Sequence, residues 1–185
     1  GAYEFGMFSS SIAIVTVLSF IGGFGISQAW LMHFGKEGWN GLRWIKPSFE
    51  LLVISTAAVI VLLFIWIVMG PNDTETKLQL SILSLFAISQ VILDLVSVKY
   101  QLEERYLCLS IWQLSPNLIR LVVVIMLFVL LHDYSFSVLS VAVTYSTVAL
   151  LFIIIGLYQL SMFYTNNFNL VGHGIKYINY IDAPS

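Results

Sequence analysis

The sequence predicts an all-α protein, a polytopic transmembrane helical bundle, and three observations carry that expectation. Five apolar runs, roughly residues 7–33, 51–70, 78–98, 107–131 and 136–160, fill most of the 185-residue chain; about 20 apolar residues suffice to cross the hydrocarbon of a bilayer. Hydrophobic residues make up 59% of the chain and charged residues 10%, with a mean hydropathy of +0.92, whereas soluble domains carry roughly 25% charge. None of the runs alternates apolar and polar residues. A spanning segment must satisfy its own backbone in lipid, so runs of this length and pattern are helices rather than barrel strands. The expected organisation is a five-helix bundle over residues 1–160 and a cytoplasmic linker over residues 161–185. Five spans without a sizeable soluble domain point toward transport.

The first run starts after Glu4-Phe5-Gly6 and carries Thr16, Ser19, Gly23 and Ser27 at helical spacing on one face. Gly22, Gly23 and Gly25 are read first as the small-residue surface by which membrane helices pack, and second as a hinge. The second run opens on Lys46-Pro47-Ser48, where a proline in the first turn costs no hydrogen bond. Glu50 follows as a residue favoured by the helix dipole. Beyond it only Ser55 and Thr56 are polar, so this helix faces lipid over much of its surface.

Asn72, Asp73 and Thr74 form a turn and a helix start before the third run; the Asn-x-Thr sequon they contain is short enough to arise by chance and is given no role. Gln90, Asp94 and Ser97 then make one polar face, with Asp94 about 7 Å inside the end of the run at 1.5 Å per residue. The fourth run is the most informative. Ser110, Gln113, Asn117 and Arg120 form a single polar stripe, and from Leu121 to Leu131 no polar side chain follows. Arg120 stands about 21 Å from Tyr106 and about 16 Å from Leu131, close to mid-membrane, and a bend at Pro116 changes that little. In the fifth run Ser137, Ser140, Thr144 and Thr147 share a face and are read as packing hydroxyls.

Charge sets the orientation. Lys36, Arg43, Lys46, Lys99, Arg105 and Lys176 fall on one side of the runs and Lys77 alone on the other, which makes the first side cytoplasmic. Gly1 is then outside and Ser185 inside, so a preceding helix and a following segment are expected. Trp30, Trp39, Trp44, Tyr100, Tyr106, Tyr158 and Tyr164 cluster where runs meet loops, as an interfacial aromatic belt. His33, His132 and His173 lie far apart with no metal spacing, and the one cysteine, Cys108, is read as a small buried apolar residue. A net charge of −2 without a basic patch sets nucleic acid aside.

An arginine in mid-membrane costs a few kcal/mol even on insertion scales, so it faces a bundle interior, a partner or a water-filled path. Guanidinium is also the favoured group for bidentate phosphate contacts. The stripe below Arg120 is therefore a candidate wet funnel, with Arg120, Asn117, Gln113 and Asp94 as substrate-binding residues for an anion. The competing readings are an ion pair with Asp94 and an arginine that snorkels along its own helix. No Gly-x-Ser-x-Gly, His-Glu-x-x-His or phosphate-binding glycine loop occurs, and Glu103-Glu104 reads as a solvated loop. The chain shows no enzyme signature and implies no cofactor or metal.

The segment Ala2-Tyr3-Glu4-Phe5-Gly6-Met7-Phe8-Ser9 resembles the Gly-x-x-Glu-Tyr/Phe-Gly-x-Phe/Tyr-Ser segment before the second helix of polysaccharide flippases of the Wzx type. Phe24-Gly25-Ile26 followed by Ala29, and later Val98-Lys99-Tyr100-Gln101, are similar to the family's pattern in the expected order. The resemblance implies that the runs are helices two to six of a two-lobed fold in the multidrug/oligosaccharidyl-lipid/polysaccharide exporter superfamily, a partial N-terminal half without the first helix. It implies a bacterial cytoplasmic (inner) membrane and transfer of undecaprenyl-diphosphate-linked oligosaccharide to the outer leaflet, for O-antigen, capsule or exopolysaccharide. Lipid-linked oligosaccharide, membrane lipid, and the polymerase and chain-length proteins of the pathway are the implied partners. Arg120 is the residue to match to the family's cationic cavity. The alternatives are a drug/cation antiporter of the same superfamily, which wants intramembrane carboxylates, a membrane polymerase or ligase, which wants a large outer loop, and a purely structural subunit.

Overall fold

The structure is a computed structural model that describes residues 2–71, 73–130 and 138–172. The described residues are 95% helix, with no strand among them. The helices are α1 (Ala2–Gly23), α2 (Ile26–Glu37), α3 (Ile45–Met69), α4 (Thr74–Leu102), α5 (Tyr106–Leu130) and α6 (Val138–Gly172), with a 3-10 segment over Gly38–Trp44. Among the described residues, five segments are long and apolar enough to cross a membrane: Phe5–Glu37, Asn40–Met69, Thr74–Leu102, Tyr106–Val129 and Leu139–Phe163. These correspond to the five apolar runs. Apolar side chains cover the outside as well as the core, with Leu107, Met69, Phe20 and Val68 among the most exposed, as a surface solvated by lipid requires.

α4 is the central helix and packs against every other helix. Ser146 Oγ donates to the Ile82 carbonyl at 2.6 Å and Lys99 Nζ to Gln159 Oε1 at 2.8 Å, so α6 runs parallel to α4. α5 runs antiparallel, because Trp112 meets Leu93 while Arg120, further along α5, meets Phe86, earlier on α4. Two apolar cores result. Phe8, Val15, Leu63, Leu80, Leu83 and Ala149 belong to one; Trp30, Ile45, Leu52, Val96, Trp112 and Phe152, nearer the basic end, belong to the other.

The first run is not one helix. Phe24 (φ 46°) and Gly25 (φ 67°) adopt left-handed backbone between α1 and α2, a conformation cheap for glycine and costly for other residues. The last carbonyls of a helix lack intrahelical donors, and in lipid a neighbour must supply one. Ser55 of α3 does so, donating its hydroxyl to the Gly22 carbonyl at 2.6 Å. The glycines divide their roles: a Cβ on Gly22 would stand 3.6 Å from Thr56 Cα, Gly23 has open space, and Gly25 makes the turn. Ser11, Val15, Ser19 and Gly22 form the buried face, whereas Thr16 bonds back to Ile12.

Several other expectations are corrected. α1 begins at Ala2, ahead of Gly6. α3 begins at Ile45, which puts Glu50 in the second turn, beyond the reach of the dipole. α4 continues to Leu102, so Asp94 lies about 12 Å from its end rather than about 7 Å. α6 extends to Gly172, making residues 161–172 helical. Trp30 and Tyr100 are core residues, not belt residues; Trp30 is 2% exposed and donates to Ser48 Oγ. Trp44, Tyr106 and Tyr158 are exposed, as a belt requires. Cys108 is exposed rather than buried. α5 stays helical through Pro116; the Trp112 carbonyl that the missing N–H frees accepts from Ser115 Oγ at 3.3 Å. His132, Ser137, His173 and Lys176, with Asn72, lie outside the described residues, as do the side chains of Trp39 and Tyr164.

Candidate anion site around Arg120

The polar stripe of α5 is exposed at Ser110, Gln113 and Asn117 and enters the protein at Arg120, which is 4% exposed. The guanidinium carbon lies 4.7 Å from the ring centroid of Phe86 on α4 and 5.1 Å from that of Tyr145 on α6. Phe8 of α1 completes the aromatic wall, its ring 5.5 Å from Tyr145. Helices α4, α5 and α6 thus converge on one cation, with Phe8 of α1 behind Tyr145. Ring faces attract a desolvated guanidinium by about 2 kcal/mol or more each, which offsets part of the burial cost.

Arg120 Nη1 donates to Asn117 Oδ1 at 3.2 Å. The other two nitrogens, Nε and Nη2, are buried and have no hydrogen-bond partner. They form the side edge of the guanidinium, whose two parallel N–H groups are the fork that grips a carboxylate or phosphate. Asn117 and the rings therefore fix the plane and one corner, and the bidentate edge is buried without a hydrogen-bond partner. No carboxylate fills it among the described residues, because the ion pair with Asp94 is not formed. Asp94 is exposed and lies eight residues along α4 from Phe86, about 12 Å along the axis.

Comparison with protein-family models, curated proteins and solved structures finds no match. The site is therefore read from its own chemistry. Of the four sequence-predicted residues, the fold joins Arg120 and Asn117. Gln113 and Asp94 stay at the surface nearer the basic end, about level with each other, because Trp112 next to Gln113 meets Leu93 next to Asp94. They form an exposed polar approach and not a first contact. No cluster of three metal-ligating side chains occurs among the described residues.

Phe86 and Tyr145 were not legible as site residues, since an aromatic in a buried helix reads as core. Gln79 was also missed. It is 3% exposed, its Oε1 is unpaired, and it lies seven residues from Phe86 on the same face of α4. Its signal was available: it is a lone amide in an otherwise apolar stretch, Leu78 to Leu80.

Proposed function

We propose that this bundle serves transport of a phosphate-bearing amphiphile, and specifically the transfer of undecaprenyl-diphosphate-linked oligosaccharide from the cytoplasmic to the outer leaflet of a bacterial inner membrane. The observation that carries the reading is the unpartnered, buried bidentate edge of Arg120, held between two rings inside a span. A diphosphate supplies the paired oxygens that edge lacks. The exposed stripe of Ser110, Gln113 and Asn117 gives a polar approach from the basic end, and the sequence resemblance to polysaccharide flippases supplies the glycan. The broken first span adds a place where half-helices can tilt, as discontinuous helices do in transporters. No covalent step is involved; the reading assigns no enzyme activity.

The test is export in cells of the full-length protein. Arg120→Ala and Arg120→Glu should abolish delivery of lipid-linked glycan at normal expression. Arg120→Lys, which keeps the charge but loses the fork, should retain part of it. A charge-assisted hydrogen bond is worth about 1.5–3 kcal/mol, so a loss of at least tenfold is expected. Undiminished export in the alanine and glutamate variants ends the substrate-contact reading. A drug or cation antiporter is the second reading, favoured by the depth and exposure of Asp94; Asp94→Asn should then abolish drug efflux and leave glycan delivery intact.

A further inference from the structure

A groove of about 560 Å³ opens between α2, α3 and α6, within the roughly 300–1,000 Å³ of ligand pockets. Trp30, Phe49, Leu157 and Leu160 wall it. The Trp30 indole N–H is already committed to Ser48, so that wall offers no polar edge. Lys46 and Glu50 line it from the first two turns of α3. The groove lies at the basic end of the bundle, because Gln159, next to Leu160, is bonded to Lys99. The positive-inside rule makes that the level of the cytoplasmic headgroups.

Lys46 and Glu50 stand one turn apart, both exposed, and neither takes part in an ion pair among the described residues. Helical side chains lean toward the helix N-terminus, which for α3 is the basic end. Both therefore carry their charged ends up to the interface while their carbon stems line the groove. An occupant needs an apolar tail and a head bearing both charges. An anionic head meets Lys46 but is repelled by Glu50, and each such charge near the headgroups changes binding by about fivefold.

We propose that this groove is a binding site for one phospholipid of the cytoplasmic leaflet, an acyl chain between α3 and α6 and a phosphate and primary ammonium on Lys46 and Glu50. The site rests on the membrane placement of the bundle and not on the role of Arg120. The experiment reconstitutes the full-length protein in nanodiscs of equimolar dioleoyl-phosphatidylethanolamine, -phosphatidylglycerol and -phosphatidylcholine, then measures the lipid that stays bound by native mass spectrometry. Phosphatidylethanolamine should be retained about fivefold over phosphatidylglycerol, and also over phosphatidylcholine, whose quaternary ammonium has no N–H to give Glu50. Glu50→Gln, at an exposed position that leaves packing untouched, should erase the preference over phosphatidylglycerol. The charge exchange Lys46→Glu with Glu50→Lys should restore it. Leu157→Trp should fill the groove and lower retention of all three. Equal retention of the three lipids by the unaltered protein, or a preference that survives both Glu50→Gln and Leu157→Trp, overturns the proposal.

Discussion

Adding one methyl group at Gly156 tests how closely α4 and α6 approach. A Cβ there would collide with Cγ2 of Ile92 and stand 3.6 Å from Val96 Cγ2 and 3.7 Å from the Trp112 ring. Ile92 is 7% exposed and flanked by the same buried neighbours. Its Cγ2 is attached directly to a branched Cβ, so it has no soft rotamer by which to move aside. Overpacking of this kind costs about 1–3 kcal/mol. Replacing glycine by alanine in a helix returns about 1 kcal/mol, which leaves Gly156→Ala a net loss of up to about 2 kcal/mol. The stability change alone is therefore small enough to be ambiguous, and the decisive quantity is the coupling to residue 92. Ile92→Ala removes the colliding methyl group and costs about 2–5 kcal/mol by itself; in that background the alanine at 156 fills space instead of contesting it. A double-mutant cycle by denaturant titration in mixed micelles should give a coupling of about 1–3 kcal/mol, favourable in the double variant. A coupling below about 0.5 kcal/mol, the level of independent sites, would falsify the close approach.

Two further outcomes are expected from the same titration. Ser55→Ala strands the Gly22 carbonyl at the break between α1 and α2 and should cost about 1–3 kcal/mol; a neutral result means that another donor reaches that carbonyl. Gln79→Leu removes a buried amide whose oxygen is unpaired and should stabilise by about 1 kcal/mol. Destabilisation there would instead reveal a buried water as its partner.

Hydropathy placed all five spans, because each apolar run must meet lipid or core whichever neighbours it finds. The ends of the helices were less legible. α4 and α6 run past their apolar stretches to Leu102 and Gly172, since a helix continues into water as long as its backbone bonds are favourable. The break at Phe24-Gly25 was hidden for a different reason. The same glycines serve packing or turning, and only Ser55, about thirty residues on in sequence, decides that the chain can open its ladder there. Trp30 looked interfacial by position and is core because Ser48 satisfies its N–H.

Arg120 shows where the two kinds of information divide. The sequence by itself determined that a charge sits near the middle of a span at the tip of a polar stripe, because helical rise and the 3.6-residue repeat depend on nothing outside α5. It left open what that charge meets. Only the packing of α4 and α6 against α5 put Phe86 and Tyr145 on its faces and kept Asp94 away. The physical reason is that register between helices is set by side-chain fit, here the close approach at Gly156 and the wedge of Trp112. No periodicity within one run encodes that fit.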